Sequence, residues 1–464
     1  MQSTSAVAIV ATLMLLGAAE AQPGAAQAKP ADASQPPPAP TFVQPDVAAD
    51  PMLAPPAAAP AEVHSWDEAI AMLRHAPDFL TSVDAVQRAV AQRRIALAAV
   101  LPTLVGQGIY AHNFNTESIP FGTAILVEPP ATVWDATITA SWNVLNPRAI
   151  YGVGTADLAI DVANLSLADR RRVLAGSVVA AMLDTLAAAR VSELDRVGLR
   201  AALERLVLTQ TRLQFSRGTE LDVDRAQQDV AAARALLISG DESLRRAREA
   251  LGEALGSPTA IATTASLDLD GFEHAVATTC KLGNDIEQRA DVAAARANVA
   301  IADRHVTDAD LLFAPTLGVA TQGGYASAVT LGPLATWTIG ATLTIPFYDG
   351  GERYGAMRDA RAAADQARQA LAALRIEALV ESARAARAVS VSTAERDVAK
   401  QQRDLAERVD TRTREGYARG LGTSLDLVTS GQALRQAELN LALLDFQVAQ
   451  SRAAAVLVDA ECVF

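Results

Sequence analysis

The sequence predicts a mainly α-helical protein with a small β part, built from two copies of one unit. A segment from Trp134 to Gly152 occurs again from Trp337 to Gly355, with no gap between the paired Trp and Tyr-Gly residues. In both copies apolar and polar residues alternate, which is typical of a strand with one apolar and one polar face. Each copy then leads into a helical stretch of about 65 residues, roughly 100 Å at 1.5 Å per residue. Such long helices are not expected in an ordinary globular domain.

Composition and charge argue against several classes of protein. Hydrophobic residues make up 50% of the chain but aromatic residues only 4%, so alanine-rich helices should pack closely. The net charge of −13 argues against a nucleic-acid partner. No nucleophile motif, phosphate loop, dinucleotide fingerprint or metal-ligand spacing occurs in the sequence. We therefore predict that the protein is not an enzyme and has no metal site or cofactor.

The N-terminus has the features of an exported protein. Residues 1–21 resemble a secretory signal peptide, because an apolar stretch precedes the small-x-small site Ala19-Glu20-Ala21. The alternative is a disordered alanine-rich tail. Residues 22–62 are rich in Pro and Ala, and we predict a disordered lead there. No apolar run of about 18 residues follows, so no transmembrane helix is predicted.

The first repeat is predicted over residues 63–256. Pro102 ends its first helix, because proline cannot continue a helix and pushes the preceding residue towards an extended conformation. The predicted elements are a helix over 66–100, strands over 104–114 and 133–146, a long helix over 150–215 and a return helix over 220–256.

The second repeat is predicted over residues 285–458. Its elements are a helix over 285–313, strands over 317–326 and 336–347, a long helix over 352–417 and a return helix over 424–458. Apolar residues recur at alternating steps of three and four in both return helices, which predicts antiparallel coiled-coil hairpins. The first and return helices together match one long helix in length. The inter-repeat segment 257–284 and the tail 459–464 should therefore lie halfway along it, at an equatorial level.

Four amphipathic strands are too few to close a barrel, and an open sheet would expose unpaired edges and apolar surface. Strands of about 10 to 14 residues can cross a bilayer when tilted, and only a closed barrel satisfies every backbone group there. Several copies must then share one barrel, with eight strands in a dimer or twelve in a trimer. The helices would continue it as a hollow cylinder, which predicts a conduit from the outer membrane across the periplasm.

Several motifs in this order resemble the TolC-like outer membrane efflux protein family over residues 65–460. They are Pro-Thr-Leu at 102–104 and 315–317, Pro346-Phe347-Tyr348-Asp349-Gly350-Gly351, Gly416-Tyr417-Ala418-Arg419-Gly420, and Leu425-Asp426-Leu427. The resemblance implies a homotrimer with a 12-stranded barrel in outer-membrane lipid and an α-barrel in the periplasm. It also implies docking to a periplasmic adaptor (membrane fusion) protein and an inner-membrane pump.

The resemblance places candidate site residues at the hairpin tips. Asp222, Asp426 and Tyr417 match residues that constrict the family's pore, although the two acids could simply cap the return helices. A ring of three carboxylates in a narrow mouth would favour cations. The two hairpin turns match the turns through which the family contacts its adaptor; the alternative is that they are ordinary glycine turns. Their residues are Arg217, Gly218, Thr219, Arg419, Gly420 and Leu421. The sequence departs from the family pattern at Gly422 and Thr429, so the closing contacts should differ here.

Two further sets of residues have expected roles. Trp134, Trp142 and Trp337 lie near strand ends, which suits an aromatic girdle at the lipid interface; the alternative is burial against a neighbouring domain. Cys280 and Cys462 both fall at the equatorial level of an exported protein, where thiols are oxidised. We hypothesise a disulfide between them.

The sequence therefore predicts the passive outer-membrane channel of a tripartite efflux system that exports small molecules. A type I protein-secretion duct would use the same architecture and stays open as an alternative. A periplasmic coiled-coil adaptor or structural spacer is a rival of a different class. An adaptor should show one hairpin inserted in a soluble β domain, whereas this chain shows two hairpins and two strand pairs of equal spacing.

Overall fold

Two long helical hairpins, each preceded by a pair of strands, dominate the structure, which is a computed structural model. The residues that it describes are 47–112, 114, 119–121, 124–127, 132–264, 269–283, 285–327 and 334–464. The predicted signal peptide and residues 22–46 of the predicted lead lie outside this set.

The first repeat, with the short strand just before it, contains four helices and five strands among the described residues. In chain order they are β1 (Ala61–Val63), α1 (Trp66–Leu73), α2 (Pro77–Ala98), β2 (Thr103–His112), β3 (Ile119–Phe121), β4 (Ala124–Val127), β5 (Thr132–Leu145), α3 (Pro147–Gln214) and α4 (Glu220–Ala254). β1 precedes α1 in the belt described below. β3 and β4 form a two-stranded excursion between β2 and β5.

The inter-repeat segment and the second repeat follow. Their elements are β6 (Ile261–Thr263), α5 (Leu269–Thr279), β7 (Cys280–Leu282), α6 (Ala290–Asp310), β8 (Thr316–Ala326), β9 (Leu334–Thr344), α7 (Glu352–Ala418), α8 (Ser424–Leu457) and β10 (Ala460–Cys462).

The structure corrects the predicted first helix of each repeat. The expected helix over 66–100 is two helices, because Pro77 occupies the first turn of α2 and disfavours a helical conformation at Ala76. The expected helix over 285–313 is an α-helix only from Ala290 to Asp310, with 3-10 turns on both sides. The last strand ends at Thr344, three residues before its predicted end.

The four long strands form one antiparallel sheet in the order β2-β5-β8-β9. Sequential strands are neighbours, so β2 and β9 are the two edges, and neither has a partner on its outer side within the described chain. The apolar side chains of β9 face solvent: Trp337 is 75% exposed and Ile339 is 76% exposed. The sheet alone therefore leaves an apolar face exposed and the backbone groups of two edge strands unpaired.

The long helix α3 is the centre of the helical part. Towards the hairpin tips it packs between α4 and α8, and towards the strands it packs between α2 and α6. α7 packs on α8 and α6, on the far side from α3. The lateral order is therefore α4-α3-α8-α7 near the tips and α2-α3-α6-α7 near the strands. One edge of this layer consists of α2 and α4, and the other consists of α7.

A belt of short elements packs against the middle of α3. β1 pairs in parallel with β6, and β7 pairs antiparallel with β10. The largest hydrophobic cluster lies here and joins the belt to α3 and α8; its fully buried members include Trp66, Leu73, Met182, Leu183 and Ile261. α3 also contains an 18-residue window apolar enough by composition to span a membrane. The same helix contributes Leu174, Val178, Met182 and Leu183 to this core.

Residues 47–57, here called the strap, lie against α3 and α4 between the belt and the tips. The Asp50 carboxylate accepts a hydrogen bond from Arg234 of α4 at 2.8 Å, and Met52 packs on the apolar cluster of the hairpin. These contacts show that the expectation of a disordered lead over 22–62 is wrong for the part from residue 47 onwards. Composition alone did not reveal that a short apolar and acidic stretch could bind the helices.

Candidate functional site at the hairpin tips

The two hairpin turns are formed by local sequence signals. α7 ends before Gly420, whose φ of +85° is a left-handed conformation that favours glycine. Each return helix begins with a capping box in which a threonine and an aspartate exchange hydrogen bonds with each other's backbone N–H groups. The pairs are Thr219 with Asp222 and Thr423 with Asp426. The capping role considered for both acids is thus present in the structure.

Asp222 also reaches the other hairpin. The hydroxyl of Ser424, the first residue of α8, donates a hydrogen bond to the Asp222 carboxylate. Partial burial opposes ionisation of Asp222, but hydrogen bonds from Ser424 and Thr219 outweigh it, so the pKa of this carboxyl lies below its usual range. Asp426 is bound by the Thr423 hydroxyl at 2.7 Å, and this hydrogen bond lowers its pKa.

Tyr417 forms the second contact between the hairpins. Its ring is buried, 3% exposed, and the Arg212 guanidinium of α3 lies 4.2 Å from the ring centroid. Arg212 also donates a hydrogen bond to the Tyr417 carbonyl oxygen. Burial raises the pKa of the Tyr417 phenol, whose oxygen has no hydrogen-bond partner among the described residues. The ring and the backbone carbonyl therefore make this contact, and the hydroxyl does not.

The turn residues themselves are at the surface. Arg217, Thr219, Arg419 and Gly420 are exposed, Gly218 is partly exposed, and Leu421 is 83% exposed. The structure thus brings Asp222 and Tyr417 into the inter-hairpin contact and leaves the turns free to meet another molecule. Sequence reasoning missed Arg212 and Ser424, since their partners lie 205 and 202 residues away along the chain.

The three tryptophans proposed for the lipid interface are on the sheet and keep about half or more of their surface exposed, although Trp134 packs on Tyr110 and the Trp142 indole donates a hydrogen bond to the Val100 carbonyl oxygen. Trp134 is 60%, Trp142 is 47% and Trp337 is 75% exposed. This exposure argues against burial on a neighbouring domain. Trp337 stacks over Gly323 of β8, where an added Cβ would come within 2.8 Å of the indole ring.

Cys280 and Cys462 are bonded to each other in the structure. They face each other in the β7–β10 pair, and both are buried in the belt. The bond links the segment before the second repeat to the tail after it.

Four long strands with open edges, followed by paired helices whose tips contact each other, are an architecture typical of channel-forming proteins. The sequence model described as "Outer membrane efflux protein" matches residues 71–257 and 282–457, which is most of the chain. This protein therefore belongs to the outer membrane efflux protein family. The two matched segments coincide with the two repeats, so the predicted duplication and the mainly α fold class with a small β part are confirmed.

Individual relatives agree with this assignment. The chain is 24% identical over 339 residues to the pyoverdine export outer membrane protein OpmQ of Pseudomonas putida, covering 72% of this chain and 71% of the relative. Among solved structures, CusC superposes with a TM-score of 0.73 at 16% identity, over 90% of this chain and 98% of CusC. The CmeC outer membrane channel of Campylobacter jejuni gives 0.72 at 15% identity, over 84% of each chain.

VceC of Vibrio cholerae gives a TM-score of 0.68 at 19% identity, over 84% of this chain and 94% of VceC. The protein is thus an outer-membrane channel-family member and not an enzyme, as the sequence predicts. The family also favours the conduit over the rival class of periplasmic adaptor or spacer.

Proposed function

We propose that this protein is the outer-membrane conduit of a tripartite efflux system and works as a passive homotrimer. The observation that carries the proposal is the pair of open sheet edges, β2 and β9, on a chain whose helical layer is open on the corresponding sides. A backbone edge in lipid is not tolerated, so each β9 needs the β2 of another copy. β9 and β2 run in opposite directions, which allows the antiparallel pairing already present inside the chain. Three copies of four strands give a 12-stranded barrel.

The helices supply a matching seam. Val391, Val398 and Leu405 recur every seven residues on α7 and are each more than half exposed. They lie one position before buried residues such as Ser392 and Ala399, so this apolar stripe flanks the face that already packs in the hairpin. A heptad stripe of this kind is half of a coiled-coil interface. These positions lie in the half of α7 nearest the tip, so the proposed occupant is the α4 edge of the next copy.

The tip contacts support a closed resting end on the periplasmic side. Arg212 with Tyr417, and Ser424 with Asp222, tie the second hairpin to the first. In a trimer each contact would occur three times around the mouth. Asp222 and Asp426 would then place two rings of carboxylates there, which repel anions and attract cations.

The exposed turns at 217–219 and 419–421 are the proposed contacts for a periplasmic adaptor protein, through which an inner-membrane pump would deliver substrate. Small molecules are the proposed cargo. The relative from Pseudomonas putida supports this, since its name describes export of pyoverdine.

The proposal is tested by extracting the protein from outer-membrane fractions and measuring its native mass and conductance. We expect three mature chains per particle and discrete conducting units in planar bilayers. A monomer in the soluble periplasmic fraction would contradict the proposal.

A further inference from the structure

The strap runs towards the hairpin tip when the chain is followed from residue 57 back to residue 47. The Ala57 carbonyl oxygen accepts a hydrogen bond from Arg248 of α4 at 2.8 Å, whereas the Asp50 carboxylate pairs with Arg234, also at 2.8 Å. Because α4 runs from the tip to the belt, Arg234 lies 14 residues, roughly 21 Å, closer to the tip than Arg248. The chain before residue 47 therefore leaves the strap on the tip side of the belt.

An apolar groove between α3 and α4 continues past the strap towards the tip. It encloses about 420 Å³, and its walls include Leu203, Leu206, Val230 and Ile238. Ile238 is 62% exposed and Leu206 is half-buried. Gln227, at the far end of the groove, lies seven residues, roughly 10 Å, nearer the tip than Arg234. The groove thus extends beyond the Asp50–Arg234 pair and leaves apolar surface open to an occupant.

The proposed neighbouring copy would not cover the wall of this groove that α3 forms. Leu203 and Leu206 lie on α3, which is inside the lateral order of the layer, whereas the next copy would pack on the α4 edge. Met52 and Leu53 of the strap pack on the same apolar cluster as these two leucines. The occupant should therefore approach from the side on which the strap lies.

The sequence just before the strap has the composition of such an occupant. Residues 22–46 are Ala, Gly, Pro and polar or charged residues with two exceptions, Phe42 and Val43. These two apolar residues stand five and four positions before Val47, the first residue of the strap, and five extended residues span about 17 Å. Prolines on both sides of the pair favour an extended backbone. The two apolar side chains are therefore within reach of the groove.

We propose that residues 40–46 continue the strap along this groove, with Phe42 and Val43 as apolar anchors. A segment tethered so close to the groove has an effective concentration on the order of millimolar, which favours it over a separate molecule. Docking carries the preceding Pro/Ala-rich stretch to the first hairpin turn, because Gln227 lies eight residues, roughly 12 Å, past Thr219. An adaptor at that turn would then also meet this stretch; this consequence rests on the proposed function, whereas the docking itself does not.

Cysteine cross-linking in the purified mature protein tests the docking. Val43→Cys with Gln227→Cys places one thiol in the segment and one at the exposed end of the groove. Val43→Cys with Glu204→Cys is the matched control. Glu204 is also exposed and lies at a similar level, next to the residue that pairs with Asp229, but it lines a cavity shared with α8 on another side of α3. Under mild oxidation we expect the first pair to form its bridge at least tenfold faster than the control pair.

The apolar anchor gives a second test in the same cysteine pair. Phe42→Asp should slow the bridge to the rate of the control pair, because a carboxylate is costly in an apolar groove, whereas Phe42→Leu should keep the rate within about twofold. Equal rates for the two cysteine pairs, or no effect of Phe42→Asp, would overturn the docking. Bridges that join two chains, seen as dimers on denaturing gels without reductant, would overturn it as well, since a neighbouring copy would then supply the occupant. A soluble monomer that still forms the first bridge rapidly would contradict the proposed conduit and support the docking.

Discussion

At the scale of single residues, the hairpin tips combine a capping box, which lies within four residues of sequence, with an arginine–tyrosine contact between the two repeats. The Thr-x-x-Asp signature that places Asp222 and Asp426 at helix starts is complete within four residues, so it could be found without coordinates. Arg212 could not, because it meets Tyr417 only through the relative rotation of two separate hairpins. That rotation depends on packing across more than 200 residues of chain.

The Tyr417 contact leads to a first prediction. Tyr417→Ala should raise the resting conductance of the reconstituted channel, because it removes the buried ring under Arg212, an interaction of about 1 kcal/mol per copy. Tyr417→Phe should have a much smaller effect, since the phenolic oxygen has no partner among the described residues. Single-channel recording measures both. Equal effects of the two substitutions would contradict this account.

Asp222 leads to a prediction of pH dependence. Its pKa is lowered in the folded protein, so the contact contributes stability above the unfolded pKa of about 3.9 and loses it as pH falls through the lower folded value. The open fraction of the wild-type channel should therefore rise at acid pH below about 4.

Asp222→Asn should raise the open fraction at neutral pH and flatten the acid response, at a cost of about 1 kcal/mol or less to the cap. Asp224→Asn, at an exposed neighbouring position, is the control. Recordings of open probability against pH test this prediction. An unchanged acid response in Asp222→Asn would show that the Asp222 carboxyl does not cause the opening at acid pH.

At the scale of elements, the periodic helices and the alternating strands could be predicted, but the belt could not. Heptads extend over many residues and identify both return helices within two residues of their observed ends. The three-residue strands of the belt, such as Ala61–Val63 with Ile261–Thr263, carry no periodic signal. They are specified by the core around Trp66, which forms only when distant segments meet.

The belt disulfide gives an element-scale prediction. Cys280 and Cys462 are 182 residues apart and enclose the second repeat, so loop closure should stabilise the oxidised chain by about 5 kcal/mol in the chain-entropy description. Replacing both by Ser should lower the unfolding midpoint in denaturant, and a reductant should then have no further effect. Free thiols at both positions in peptides from protein purified without reductant would refute the bond.

At the scale of the whole molecule, the number of strands predicted the open edges of the sheet, which no single motif indicates. Four amphipathic strands cannot close on themselves, and the observed order confirms that the chain ends its sheet with two open edges. The lateral order of the helices could not be predicted from the sequence. The long helices pack against more than one neighbour, and their apolar residues do not indicate which neighbour lies on which side.

The proposed seam between copies can be broken selectively. Val398→Asp with Leu405→Asp places two carboxylates in the apolar stripe of α7, and we expect the trimer fraction to fall at least tenfold, because buried unpaired charges are costly. Val197→Asp is the control, as it is 49% exposed on α3, which is not an edge of the layer. Native mass spectrometry of detergent-extracted protein provides the measurement. Undiminished trimers in the double variant would disprove the seam.

The antiparallel pairing of β5 with β8 joins the second strand of one repeat to the first strand of the other, and the proposed pairing of β9 with β2 would do the same between chains. The backbone hydrogen bonding at the boundary between subunits would then match that at the boundary between repeats. Six chains of one repeat each would supply the same twelve strands, so the proposed threefold ring of chains would be a sixfold ring of equivalent repeats.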